Sequence, residues 1–252
     1  MNFREQGDGP AVLLLHGTPS SSEDFAPVVA ELARTHRVFV LDLPGYRGVP
    51  SMRGPDAFDR TRRSIEEALR SRRVEEVAIV GYSGGAFRAI DLALRGSLRA
   101  THLVSLAGYV TVPEATRQAF RQLATLLRGG LDLRPTLAGQ MCAPAALDRS
   151  PELARRVEGW LDLISTNDLA DELDSFAAYL DATDHTEAFR ALEIPVTAVG
   201  AELDAAVPPS FSHEMKALNP RVRVEVLPGT GHAMLLEQPE AVVRILRESL
   251  RV

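Results

Sequence analysis

Lysine is almost missing from this chain of 252 residues: of its 28 basic side chains only Lys216 is a lysine, and the rest are arginines. Those arginines are scattered, and clusters such as Arg60-Thr-Arg-Arg63 fall on what reads as a solvated helix face. With a net charge of -6 the chain shows no basic footprint for a nucleic-acid partner. Cysteine is equally scarce. The single Cys142 excludes an intramolecular disulfide and a cysteine-based zinc cage. No apolar run approaches the ~20 residues of a membrane span. The N-terminal Met1-Asn-Phe-Arg-Glu5 lacks the basic-then-apolar order of a signal peptide, so the expected compartment is the reducing cytoplasm. What remains is ordinary: 45% apolar and 25% charged residues, enough for one large α/β domain or a domain carrying an inserted lid.

The apolar pattern alternates between strands and helices. Strands are expected near Asn2–Gln6, over Ala11–Leu15 and over Val38–Leu41, Val77–Val80 and His102–Leu106. The continuous apolar runs among them are the mark of strands buried on both faces. Between them lie helical periods, one marked by Phe25, Val28, Val29 and Leu32, another by Phe58, Thr61, Ile65 and Leu69. Ser20 and Glu23 have the spacing of a capping box for the first helix. From about Tyr109 to Glu193 the strands stop. Amphipathic stretches follow over 115–127, 151–163, 168–180 and 186–192, punctuated by Gly129-Gly130 and by the Pro135–Pro144 region. Then strands return at Pro195–Val199 and Val222–Leu227, with helices over 209–218 and 239–250. This order implies a mostly parallel sheet with helices on both faces, formed by residues 1–108 and 194–252, and a helical insertion at 109–193. Sites in such sheets lie beyond the carboxyl ends of the strands.

One loop at that edge carries chemistry. Gly81-Tyr-Ser-Gly-Gly85 follows a strand and opens a helix, the G-x-S-x-G nucleophile elbow, whose sharp turn needs small neighbours. Serine is a weak nucleophile without a base, and the base needs a carboxylate to fix its tautomer. For an elbow serine these follow in the order acid, then histidine. Among the later histidines, His102 lies within an apolar strand, His185 is expected to have a surface role, and His213 falls on an exposed helix face. His232, in a Gly-flanked loop directly after a strand, is the candidate base. Glu202 and Asp204 share the preceding strand's exit loop; Glu202 reads as a solvated turn residue. Asp204 reads either as the acid or as an Asx-type turn and cap before the next helix. His16-Gly-Thr18 leaves the first buried strand, with Gly17 permitting close approach to the serine. The backbone N–H groups of Thr18 and Gly84 are candidate oxyanion donors, while His16 reads as a structural support for that loop.

Five segments together carry a family resemblance: His16-Gly-Thr-Pro19, Asp42-Leu-Pro-Gly45, Gly81–Gly85, Gly200 through Asp204 to Pro208, and Gly231-His232 with Glu237-Gln-Pro-Glu240. The chain resembles the α/β-hydrolase superfamily, in its serine-nucleophile esterase and lactonase-like branch with a helical cap. The resemblance implies Ser83 as nucleophile, Asp204 as acid and His232 as base, with Thr18 and Gly84 forming the oxyanion hole. It implies the insertion as cap, an ester or lactone as substrate, and no metal or organic cofactor; the abundance of apolar side chains in the cap suggests that the substrate is small and largely apolar. Thioester, C–C bond, perhydrolase or lyase chemistry on the same triad, and a non-catalytic binding protein on the same scaffold, are the alternatives. Candidate pocket walls are Phe120, Leu123, Leu126, Leu127, Met141, Trp160 and Leu163. Two departures stand out: the N-terminus is too short for all the leading antiparallel strands, and Arg47 is an extra residue in the Asp42–Ser51 loop.

Overall fold

The computed structural model describes residues 2–251. Seven strands form its sheet: β1 (Asn2–Gln6), β2 (Ala11–Leu15), β3 (Arg37–Asp42), β4 (Glu76–Tyr82), β5 (Arg99–Leu106), β6 (Val196–Ala201) and β7 (Arg223–Leu227), in the spatial order β1-β3-β2-β4-β5-β6-β7. β1 runs antiparallel to β3, and every other pairing is parallel. One leading antiparallel strand is thus present. β2 sits inside, with Leu14 level with Val40 of β3 and Val80 of β4. Its side chains feed both faces. Val12 and Leu14 join Phe25, Val28, Leu32, Val242 and Ile245 on one side; Leu13 and Leu15 join Ile65, Leu69, Ala89 and Ile90 on the other. Each such buried side chain contributes about 1.5–3 kcal/mol relative to exposure. That two-sided burial explains why β2 is apolar throughout rather than alternating.

Helices α1 (Ala26–Leu32), α2 (Ala57–Arg70) and α3 (Gly84–Arg95) connect the first strands. Between β5 and β6 come α4 (Glu114–Arg128), α5 (Arg134–Met141), α6 (Pro144–Arg149), α7 (Pro151–Glu158), α8 (Thr166–Ala182) and α9 (Thr186–Arg190). The chain finishes with α10 (Ser210–Leu218), α11 (Met234–Glu237) and α12 (Pro239–Ser249). Within the insertion, Leu137, Leu153, Val157 and Trp160 form a small apolar cluster that reaches Ala233 of the core. Trp160 therefore packs inside that cluster, while Leu126 is 56% exposed.

Three local expectations change. The Pro135–Pro144 region is helical, because Pro135 and Pro144 sit in the first turns of α5 and α6, where no N–H is needed. The capping box is Ser21 with Asp24, not Ser20 with Glu23, because the Ser20 hydroxyl already accepts the Gly17 N–H at 2.9 Å. His185 is buried rather than at the surface. Its ring lies 5.3 Å from that of Phe87, and its Nε2 is 3.3 Å from the buried Asp91 carboxylate of α3. Burial alone would push the Asp91 pKa up; the interactions with His185, Tyr179 and Arg95 outweigh it and hold the carboxyl below its ordinary range. A buried carboxylate drew the histidine in. His102 and His213 are as expected, half-buried in β5 and exposed on α10.

Candidate active site

Three loops at the carboxyl edge of the sheet converge. Between β4 and α3, Ser83 takes φ 54° and ψ -121°, a left-handed conformation unusual for a residue with a side chain. The strain is held by close packing. A Cβ on Gly81 would meet the Gly85 carbonyl oxygen at 2.2 Å, and one on Gly85 would meet the His16 carbonyl oxygen at 2.3 Å. The Ser83 N–H is anchored on the Leu106 carbonyl at 2.8 Å, and the residue keeps 8% exposure at the top of the sheet.

Ser83 Oγ lies 3.0 Å from His232 Nε2, and His232 Nδ1 lies 2.7 Å from Asp204 Oδ2. With Nδ1–H donated to the carboxylate, Nε2 presents a lone pair to the serine hydroxyl. The same Asp204 accepts the N–H groups of Ala206 and Val207 on Oδ1, at 2.9 and 2.8 Å. The loop carrying His232 is secured from several directions. Tyr82 donates its hydroxyl to the His232 carbonyl at 2.9 Å, and Ala233 N–H bonds the Met141 carbonyl at 2.8 Å. Glu237 accepts the N–H of Gly231 at 3.1 Å and of Ala143 at 3.2 Å. Half-buried there, it has a pKa raised above the ordinary glutamate value by desolvation. Gly231 permits this contact, since a Cβ would meet Ala143 N at 2.5 Å. Glu202 clips the turn below, accepting the Gly229 N–H at 2.7 Å.

The third loop follows β2. A Cβ on Gly17 would fall 2.8 Å from that of Ser83, so only glycine lets this segment reach the serine. Thr18 comes next, and a Cβ on Gly84 would lie 3.7 Å from its nitrogen. Neither Thr18 nor Gly84 donates its N–H to a protein acceptor among the described residues. Two free donors therefore flank the serine. His16 is fully buried below them: it accepts the Leu43 N–H on Nε2 at 3.0 Å and donates Nδ1–H to the Gly17 carbonyl at 2.9 Å. Desolvation lowers its pKa, which keeps the ring neutral, as this pair of bonds requires.

Matching of the sequence to the alpha/beta hydrolase family model extends over residues 12–245. The chain belongs to the alpha/beta hydrolase family. Among curated relatives, the Escherichia coli (strain K12 / DH10B) protein named "Putative carbamate hydrolase RutD" is 27% identical over 250 residues, covering 96% of this chain and 92% of its own length. Among solved structures, a hydrolase from Pseudomonas aeruginosa PA01 superposes with a TM-score of 0.88 at 22% identity, over 99% of this chain and 94% of that one. A thermophilic esterase from Thermogutta terrifontis gives 0.87 at 22% identity, over 99% and 92%. The hydrolase fold and family are thereby established, and hydrolytic chemistry is the activity the family supports.

One further group meets these loops without any signal in the local sequence pattern. Glu172 of α8 reaches the Thr18 loop from the insertion, accepting the Thr18 hydroxyl at 3.0 Å and the Tyr46 hydroxyl at 2.6 Å. It lies on a helix whose period marks only its apolar face, so nothing in the local pattern singles it out. Arg47, the extra loop residue, has φ 49° and donates its N–H to the Leu163 carbonyl at 2.7 Å, tying the Asp42 loop to the insertion.

Proposed function

We propose that this protein is a serine hydrolase cleaving a small, largely apolar carboxylic ester or lactone through an acyl-enzyme. The observation that carries the reading is the unbroken hydrogen-bonded line from Asp204 through His232 to Ser83, beside two unpartnered N–H groups. In this mechanism Ser83 Oγ attacks the carbonyl carbon as His232 Nε2 takes its proton, and the Asp204 carboxylate stabilises the imidazolium. The oxyanion rests on the N–H groups of Thr18 and Gly84, each of which is worth about 3 kcal/mol in the barrier. On collapse, the alcohol leaves with the proton from His232. Water, deprotonated by the same nitrogen, then attacks the acyl-Ser83 and releases the acid. Residues 109–193 act as a cap that shields this site from water.

The relative named for carbamate hydrolysis, alike over nearly the whole chain, favours a second substrate class for the same machinery. A carbamate carbonyl undergoes the same attack. Turnover of a p-nitrophenyl acyl ester, reduced at least ~1000-fold in Ser83→Ala, is the expected result. Undiminished turnover in that variant would sink the mechanism. A fluorophosphonate probe should label Ser83, and labelling should vanish in His232→Ala. Folded protein that neither turns over nor labels is a binding module. Comparing kcat/KM for esters, lactones, thioesters and carbamates ranks the substrate classes.

A further inference from the structure

Glu172 comes from the insertion, 10% exposed in its side chain, yet its carboxylate ends among core residues that flank one oxyanion donor. Oε1 accepts the Thr18 hydroxyl at 3.0 Å and an Arg88 N–H at 3.2 Å; Oε2 accepts the Tyr46 hydroxyl at 2.6 Å. The Thr18 hydroxyl lies against the Gly84 backbone, where a side chain would crowd it: a Cβ at position 84 would come within 2.9 Å of its oxygen. Tyr46 is fully buried and packs edge-on against His16, with ring centroids 4.6 Å apart. His16 in turn holds the Gly17 carbonyl. The peptide that carries the Thr18 N–H is therefore gripped at both ends: at the Thr18 side chain by Glu172 itself, and at the Gly17 carbonyl through Tyr46 and His16.

A bare carboxylate here would oppose a developing oxyanion. Arg88 answers that charge, its guanidinium centred 4.0 Å over the Phe58 ring and close to the carboxylate. Three donors converge on two oxygens, which an ionised carboxylate accepts without conflict. An amide has one accepting oxygen and turns its NH2 toward one of the same donors. Carboxylate charge and geometry are both required.

We propose that Glu172 is a positioning residue that fixes the Thr18 arm of the oxyanion hole, so that the inserted helices complete the site they cover. This rests on the assignment of Ser83 as nucleophile and Thr18 as donor. Its consequence falls on the transition state rather than on substrate binding, because the donor strengthens its bond only as charge develops.

The test uses the full chain with a p-nitrophenyl ester, a boronic acid that forms a tetrahedral adduct on serine, and the carboxylic acid product. Glu172→Gln should lower kcat by ~10–100-fold, the scale of a displaced donor, with KM changed less than ~3-fold. Boronate affinity should fall by a similar factor and product affinity should not. Thr18→Val keeps the N–H but cuts the link, and should reproduce the loss. The double variant should be no worse than the poorer single within ~3-fold, because both cut the same link. If Glu172→Gln does not fold, Thr18→Val carries the same kcat and boronate comparison. Wild-type kcat in Glu172→Gln, a loss confined to KM, or fully additive losses overturn the proposal while leaving the serine mechanism standing. A wild-type protein inert to both ester and fluorophosphonate overturns the serine mechanism, and this inference with it.

Discussion

Asp204 divides its carboxylate between two tasks in its contact with His232. Oδ2 holds the His232 Nδ1–H at 2.7 Å, while Oδ1 closes a turn on the N–H groups of Ala206 and Val207. One oxygen thus closes the turn and the other meets the histidine. An asparagine in place of Asp204 keeps an oxygen for the turn and points an NH2 toward the imidazole, forcing the wrong tautomer. Asp204→Asn should therefore melt near the wild type yet lose ~10⁴-fold in kcat, the effect of this change in serine proteases. Steady-state ester kinetics beside a thermal melt check both halves.

Ser83 holds a left-handed backbone at φ 54°. A non-glycine residue in such a conformation costs about 1–3 kcal/mol, partly offset in a glycine variant by its freer unfolded chain. Ser83→Gly should be more stable than Ser83→Ala by about 1 kcal/mol, a rise of ~2–4 °C in Tm, with both variants inactive. Equal melting temperatures would mean that the strain is not stored at this residue.

Gly231 lies against the backbone of Cys142 and Ala143, so a methyl group there pushes the loop carrying His232 off the insertion. Gly231→Ala should destabilise by about 1–3 kcal/mol, as overpacking does. It should also lower kcat by more than ~10-fold, because the imidazole moves from the serine. Urea unfolding and ester turnover read the two effects separately.

Asp24 is buried in the turn after β2, with its carboxylate on the Ser21 N–H at 3.1 Å. Desolvation pushes its pKa up to about 6 from an ordinary 3.8, against the pull of the Ser21 N–H and of Arg156. Below pH ~4 the group is protonated in both states and contributes no pH dependence. Between pH ~4 and ~6 the unfolded chain releases the proton first, so rising pH costs stability, on the order of 3 kcal/mol in full. Asp24→Asn has no such penalty and should gain on the wild type as pH rises from 4 to 7. Urea midpoints across that range give the difference, and a pH-independent offset would refute the assignment.

Much of this was open to the sequence because it is local. The apolar runs of β2 and β4, the glycines around Ser83 and the loop positions of Asp204 and His232 each declare their geometry within a few residues. The alternation of strand and helix then sets those loops on one edge of the sheet. Prolines were harder to read, since a proline such as Pro135 or Pro144 breaks a helix from within but begins one at its first turn, and only the neighbouring packing separates the two. His185 and Glu172 were not legible at all. Each sits where a distant buried group draws it in, Asp91 for the histidine and the Thr18–Tyr46–Arg88 donors for the glutamate. No spacing rule links Thr18 to Glu172, 154 positions apart. Sequence alone determined the sheet, the elbow and the order of the candidate acid and base, because short-range sterics and hydrophobic period set them. Tertiary structure alone decided how the insertion meets the Thr18 loop, because that contact depends on charge neutralisation between elements that no local pattern connects.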